Sequence, residues 1–587
     1  MERIGIVIYK CGLSNDSIKH KRIIDMKLNN IWGYGQLFGY SGIEGVNRYY
    51  NDFIGTLTSK KIGIRFELKE WVKFIIPVSG RVKFNAVMSD FIDAETKDGK
   101  IFITFAENDT LVGYTPYKPK LTGQRKLSYV KTWNTDVYYN DTDAFGLKIR
   151  EEGGLYKFCL HHSFCYTEAR SGVNYYIDTD VEELKAKMYA YYADKPKCKD
   201  KRYERLYYKA LSVNKVNVRT PEGKIPCMWT TPDRVPHRHC WLWDSVFHAL
   251  AIVNYNAELA KNAIRAVISQ QRKDGFMPHM SNPTDSSDVT QPQVLCWGVW
   301  EVYKKTGDKE FLRENVNALD KYLEWDKRNR DKNNNGLLEW LTEPDYTECK
   351  CGESGLDNSP RFDFDIEMDA IDFSTFAAHD AIYLSYIYDE IGKEDKANEW
   401  REYYNITKEK INELMWDEET SAYYDRCFDG TLTKVLTPAS FLPMFANIPT
   451  KEQAAKMVKT LTNPELLWTE LPLSTIAKNH PTYSTDMWRG GVWLNLNYFA
   501  IKGLMNYGYK DLAEELKEKT LAAVNKWYKK TGAIFEFFDS ADKEIPYKCE
   551  RKGKPSTPPD WRKHVHSIID FNWSACFTLM FIQNELY

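Results

Sequence analysis

The run Trp229-Thr-Thr-Pro-Asp-Arg-Val-Pro-His-Arg-His-Cys-Trp-Leu-Trp-Asp-Ser-Val-Phe-His248 sets two indoles and one carboxylate at the head of an apolar segment. Trp241, Asp244 and His248 fall on one face by i, i+3, i+4 spacing. An indole can stack on the apolar C–H face of a sugar while a carboxylate accepts its hydroxyls. A helix N-cap or an Arg pair would use Asp244 equally well. A second cluster is the loop Gly352-Glu-Ser-Gly-Leu-Asp-Asn-Ser-Pro-Arg361, with Trp340 ahead of it. Its Gly and Pro residues make a rigid turn, and acids held in such a loop, here Glu353 and Asp357, are candidates for proton donors. Tyr483-Ser-Thr-Asp-Met-Trp-Arg-Gly-Gly-Val-Trp493 again joins aromatics to a charge, through Trp488, Arg489 and Trp493. In Gly532-Ala-Ile-Phe-Glu-Phe-Phe-Asp-Ser540, three Phe residues flank Glu536, and apolar surroundings lift a carboxyl pKa toward the range of a general base. Asp539, Glu544 and Glu550 are its rivals. Finally, Asp331, Asn333 and Asn335, then Gly336 and Glu339, follow the oxygen spacing of a calcium loop. The twelfth position is Thr342, so this is no regular EF-hand, and an Asn/Gly turn is the plain alternative.

The elements that must carry these residues are legible in texture. The chain has 587 residues, which suggests two or three domains. Lys and Arg total 80 against 82 Asp and Glu, a balance that argues against a nucleic-acid backbone binder. No apolar run is long enough for a transmembrane helix. The opening Met1–Arg22 lacks the pattern of a secretory signal, so a cytoplasmic protein with reduced cysteines is expected from its 12 scattered Cys. The Cys349/Cys351 pair has no second pair at zinc-ligand spacing.

The first 180 residues read as strands. Ile62–Leu68 alternates apolar and polar residues, Arg81–Met88 and Lys100–Phe105 do so less strictly, and Phe145–Arg150 with Leu155–Leu160 predicts a hairpin around Glu152-Gly-Gly154. An antiparallel β-sandwich domain over 1–180 follows. A linker helix and charged break fill 181–200. From 201 to 587 helices of two kinds alternate. Trp241–Tyr255, Arg489–Tyr507 and His566–Glu585 carry almost no charge, whereas Lys393–Trp416 and Asp511–Lys529 are charged and amphipathic. A helix apolar all round is buried and one with a charged face is peripheral. About six of each, interleaved, predict an all-α (α/α)6 toroid with the informative loops at one end of its inner helices.

The motifs PHRHCWLWDSVFHAL, GESGLDNSPR, MDAIDFSTF, LTPASFLPMF, WRGGVW and FNWSACF, in this order over residues 205–582, resemble glycoside hydrolase family 63. That family includes processing α-glucosidases and bacterial relatives acting on mannosyl- or glucosylglycerate. Family 37 trehalases are cousins with a similar loop. The resemblance implies an inverting, exo-acting α-glycosidase, most simply of the α-glucosidase type, with Asp357 as general acid and Glu536 as general base. It assigns sugar contacts to Trp241, Asp244, Gln291, Trp488 and Arg489 by motif position, and Trp340 and Glu353 join them from the acid loop. It also implies a structural Ca2+ at Asp331, Asn333, Asn335 and Glu339, while the chemistry itself needs no cofactor. The expected partner is an oligosaccharide or small glycoside, with neither nucleic acid nor membrane. The sequence sets no oligomeric state.

Three rivals predict different behaviour. A trehalase-like hydrolase would share the acid loop. A sugar epimerase would work through paired histidines, for which His237, His239, His248 and His279 are available, and would leave the ESGxD loop without a task. A non-catalytic carbohydrate-binding protein would tolerate Glu536→Gln.

Overall fold

The structure, a computed structural model, describes residues 26–585 apart from 34, 51–52, 59–62, 69–71, 124–126, 133, 344–348, 365 and 553–565. The opening stretch read for a secretory signal, and Ile62 of the first expected strand, lie outside the described residues.

Between Gln36 and Ser163, antiparallel strands form one sheet of five and one of eight. Alternation makes them. In Ile64–Leu68, side chains 64, 66 and 68 are buried while 65 and 67 are half-buried. The expected hairpin is present: Ala144–Glu152 pairs with Leu155–Ser163, closing at Glu152 and Leu155. Gly153 and Gly154 both have positive φ, 56° and 80°, as a two-residue turn matched to strand twist requires. Phe38, Phe66, Phe74, Ile103, Phe105 and Phe158 belong to the core of these sheets. Ala86, Phe91, Phe102 and Val112 of the larger sheet, with Met88 at a strand end, belong instead to the helical core. The strands and helices therefore share apolar interior.

Helices α1 (Tyr166–Tyr176) and α2 (Val181–Ala193) follow, the latter capped by Asp180, which accepts from the N–H groups of Glu182 and Glu183. The remaining helices are α3 (Glu204–Val216), α4 (Leu242–Ile252), α5 (Ala257–Ile268), α6 (Leu295–Thr306), α7 (Lys309–Asn329), α8 (Ile371–Glu390), α9 (Glu394–Leu414), α10 (Leu442–Phe445), α11 (Lys451–Leu461), α12 (Leu494–Asn506), α13 (Lys510–Thr531) and α14 (Asn572–Gln583). The low-charge segments are the enclosed ones: every residue of α4 and α14 is buried. Helix α4 packs on α6, α6 on α8, α8 on α10, α10 on α12, α12 on α14, and α14 returns to α4. The charged helices stand outside, with α5 on α4, α7 on α6, α9 on α8 and α13 on α12.

An enclosed helix must find partners for its first N–H groups. Neighbouring elements supply them. Asp380 of α8 accepts from Cys296 and Trp297 at the start of α6, at 2.9 and 3.1 Å, and Asp425 accepts from Ile371 at the start of α8. Burial pushes the Asp380 carboxyl up to about 7. No helix among the described residues is long and apolar enough to cross a membrane. The eleven described cysteines are free thiols.

Candidate active site

The N-terminal ends of α4, α12 and α14, with Gln291 on the segment ahead of α6, open on one cavity of about 170 Å³. Its wall includes Trp241, Trp243, Asp244, Gln291, Asp357, Trp488, Trp493, Glu536 and Trp573, together with His237, His279, Arg551 and Lys552. The volume is below the ~300–1,000 Å³ of drug-sized pockets, so it suits one small polar ring.

Asp357 reaches the cavity because its loop is tied at both ends. Glu353 is buried beneath it and accepts from Thr290 N at 3.1 Å, Leu341 N at 2.8 Å and Arg330 at 2.5 Å. Asn358 accepts from Trp488 N at 3.1 Å, joining the acid loop to the WRGGVW segment. Between them Gly355 has φ +69°, and a Cβ there would stand 2.4 Å from the Trp243 indole. Asp357 Oδ2 pairs with Lys552 Nζ at 2.5 Å. Burial raises this carboxyl's pKa, but Lys552, with Arg551 behind it, outweighs burial and holds it below the usual carboxylate value.

Glu536 approaches from another element. Its N–H donates to Ile568 O at 2.9 Å, and Ile568 N donates back to Glu536 Oε2 at 3.2 Å. Phe537 beside it stacks on Trp493, which stacks on Trp488 with centroids 3.8 Å apart. The flanking Phe residues are buried, as expected, yet they are not the whole environment. Arg551 grips the carboxylate through Nε at 2.9 Å and Nη2 at 3.3 Å. Arg551 Nη2 also meets His237 Nε2 at 3.0 Å, while His237 Nδ1 lies 2.6 Å from Asp233. With Asp233 accepting from Nδ1–H, the Nε2 lone pair is left to accept from Arg551.

The cavity wall holds several polar atoms with no partner among the described residues: Trp241 Nε1, Asp244 Oδ1, Trp488 Nε1 and Trp573 Nε1. Buried polar atoms left without partners cost free energy, so a cluster of them facing one cavity points to a ligand rich in hydroxyls. Asp244 is 2% exposed. Burial, with Asp233 and Glu536 nearby, pushes its carboxyl well above the usual range.

The structure thus brings together Asp357, Glu536, Trp241, Asp244, Gln291 and Trp488. It does not bring Trp340, Glu353 or Arg489 to the cavity wall. Trp340 donates to Asp372 at 2.8 Å and stacks on Phe373. Glu353 has all its contacts inside the loop base. Arg489 turns to Asp363, with N–O distances of 2.6 and 2.9 Å. These three were placed by their neighbourhood in the sequence, and long-range partners take them instead.

The Asp331–Glu339 loop is held by its own hydrogen bonds. Asp331 accepts from the N–H groups of Asn335 and Gly336, both at 3.0 Å, and Asn333 Oδ1 and Asn335 Oδ1 accept from Asn335 N and Leu337 N. The amide groups of both asparagines donate to Asp369, which also carries Arg426. Glu339 accepts from Lys332 N, and burial, then Asp369 and Asp331, push it up to about 7. Among the described residues no three His, Cys, Asp or Glu are gathered as a metal site. Asp331, Asn333, Asn335 and Glu339 thus close the loop on its own N–H groups and on Asp369.

Sequence reasoning missed Arg551, Lys552, Trp573 and the contact made by His237. Trp573 had a signal, the low-charge helix start FNWSACF. Lys552 and Arg551 had none, because a basic run reads as a solvated loop.

The motif order agrees with what comparison shows. The family described as the mannosylglycerate hydrolase MGH1-like glycoside hydrolase domain matches residues 237–574. The mannosylglycerate hydrolase of Rubrobacter radiotolerans is 24% identical over 404 residues, 53% of this chain and 88% of its own length. An uncharacterized protein of Borreliella burgdorferi is 28% identical over 224 residues, 38% of this chain and 44% of its own, so the match spans less than half of that relative. In structure, the family 63 mannosylglycerate hydrolase of Thermus thermophilus, in complex with Tris and D-glycerate, aligns with a TM-score of 0.52 at 21% identity, over 64% of this chain and 99% of that one. That likeness shows the fold. The chain is therefore a glycoside hydrolase. It belongs to the mannosylglycerate hydrolase MGH1-like family, within glycoside hydrolase family 63.

Proposed function

We propose that the protein is an inverting, exo-acting α-glycosidase built on an (α/α)6 toroid, with Asp357 as general acid and Glu536 as general base. The carrying observation is that two acids, far apart in sequence and each paired with a different cation, line one small cavity whose wall also offers unpartnered indole N–H and carboxyl groups. In this reading Asp357 gives its proton to the glycosidic oxygen. Glu536 takes a proton from a water that attacks the anomeric carbon from the other face. The bond to the leaving group breaks as the bond to water forms, and configuration inverts. Both proton transfers are complete within the two carboxyls, so no cofactor is required. Trp241, Asp244, Gln291 and Trp488 would hold the ring.

Lys552 must release Asp357 for the acid to be protonated. A leaving group that engages the ammonium would do this, since burial alone raises the carboxyl. Small glycosyl conjugates such as mannosyl- and glucosylglycerate suit that role, and the Rubrobacter and Thermus relatives are named for the first of these. The epimerase reading is less well supported. His248 is occupied by Thr230 at 2.9 Å, and burial drives its pKa down to about 3 and that of His279 to about 4. The test is a screen of glycosylglycerates and α-linked disaccharides with NMR of the anomer first released. Release of the β anomer supports the reading, and release of the α anomer, or proton exchange at carbon without hydrolysis, overturns it.

A further inference from the structure

Asp570 stands two residues from the cavity-lining helix start yet does not line the cavity. It is fully buried and has φ +59°, a conformation that bulky residues avoid. Its Oδ1 accepts from Ile534 N at 3.2 Å, and its own N–H donates to Ile534 O at 2.6 Å. Its Oδ2 accepts from Leu37 N at 3.0 Å and from Lys209 Nζ at 2.9 Å. Leu37 lies in the first strand of the five-stranded sheet, Gln36–Phe38. Lys209 lies on α3, is equally buried, and reaches Ser89 Oγ at 3.0 Å. Gln36, beside Leu37, donates to Gly532 O at the head of the same segment.

The segments 532–537 and 567–570 form one ladder, with Asp570 on Ile534 at one end and Ile568 on the Glu536 carboxylate at the other. A shift of the Asp570 end would move Ile568 N relative to Glu536 Oε2. We propose that Asp570 is a positioning residue, through which the N-terminal sheet and α3 set the placement of Glu536 against the cavity. The proposal rests on the reading of Glu536 as the base. It gives the N-terminal strands a task in the reaction: their contact registers the base-bearing strand.

The test uses the full-length chain and α-glucosyl and α-mannosyl fluoride, donors whose leaving group needs no acid. Asp357→Asn should keep much of its activity on the fluoride, and Glu536→Gln should lose it. Asp570→Asn keeps the shape but has one acceptor oxygen, so it cannot accept from Ile534 N on one side and from Leu37 N and Lys209 on the other. It should lower kcat on the fluoride on the order of 10–100-fold with little change in KM, as small misplacements of catalytic groups do. Added to Glu536→Gln, it should cause no further loss of kcat per folded molecule, because both act on one step. Gln36→Leu should reproduce the effect in milder form and stands in should Asp570→Asn fail to fold. Wild-type kcat per folded molecule in the folded variant, or a loss that adds in full to that of Glu536→Gln, overturns the inference. Wild-type activity of Glu536→Gln itself would instead remove the reading of the base.

Discussion

Lys552 Nζ and Asp357 Oδ2 are 2.5 Å apart at the wall of the cavity, and the neighbouring Arg551 holds Glu536. Two consecutive cations therefore serve the two proposed catalytic acids. The pairing with Lys552 keeps Asp357 below the usual carboxylate pKa in the free protein, against burial, which acts the other way. An acid catalyst must carry its proton. Activity that depends on protonated Asp357 falls as pH rises past its pKa, so a lowered pKa brings this limb to lower pH. Lys552→Met should move the alkaline limb of kcat/KM to higher pH, since burial then acts with less opposition. A profile unchanged in position would show that Lys552 does not govern the acid. The same shift affects folding. A depressed carboxyl pKa adds stability above the unfolded value of ~3.9, and that contribution is lost as pH falls through the folded value. Lys552→Met should therefore narrow the difference in Tm between neutral and strongly acidic pH.

Asp357→Asn should lose on the order of 10²–10⁴ in kcat on a natural glycoside, the usual contribution of one positioned proton donor. The asparagine keeps the loop contacts, because Glu353, Ser354 and Asn358 fasten the turn without the Asp357 carboxylate. Lys552 is 22% exposed in its side chain, so its ammonium can be hydrated once the pairing is lost. The expected Tm is accordingly close to that of the unsubstituted protein. Steady-state kinetics beside a thermal melt checks both halves of this expectation.

How far the site could be read from the sequence depended on the range of the interactions. Asp357 and Trp241 sit in motifs whose local order places them, the one in a Gly/Pro turn and the other at the head of a helix with no outward polar face. Both reach the cavity. Glu536 was legible through its Phe neighbours, although the partner that grips it, Arg551, lies 15 residues on. Arg551 and Lys552 are held by contacts that no spacing announces: Met487 N bonds to Glu550 O and Lys552 N to Asp486. Trp340, Glu353 and Arg489 lie off the cavity wall for the complementary reason. A local pattern marks a residue as able to bind, but a distant partner, whether the buried Asp372, the half-buried Arg330 or the exposed Asp363, decides which way it faces. The alternation of apolar and charged helices survived because it averages over many residues, while the calcium reading turned on a few side-chain orientations.

Trp340 now carries a structural expectation in place of a sugar contact. Its indole N–H donates to the Asp372 carboxylate, which Arg361 also holds at 2.5 and 2.8 Å. Trp340→Phe preserves the stack on Phe373 but leaves one charged acceptor with a donor fewer. The loss should be about 1.5–3 kcal/mol of unfolding free energy, the range for hydrogen bonds to charged groups. KM should stay within about twofold, well short of the tenfold that ~1.4 kcal/mol of lost binding would give. Urea melts and KM for the same variant separate the two roles, and a large rise in KM at unchanged stability would return Trp340 to the sugar site.

Gly355 offers the sharpest test of how the acid loop is held. Its φ of +69° lies where a Cβ costs roughly 1–2 kcal/mol in an L-residue. The cost does not end there, because the added carbon would stand 2.4 and 2.6 Å from two carbons of the Trp243 indole. That ring is itself part of the cavity wall, packed edge-on against Trp573 with centroids 5.5 Å apart. Neither the loop nor the indole can yield without altering the space beside Asp357. Gly355→Ala should therefore lose at least the ~1–2 kcal/mol of backbone strain in stability, and should also raise KM and lower kcat together. A serine or alanine variant with normal kinetics would mean that the loop can retreat from Trp243, and that the placement of Asp357 does not depend on this contact.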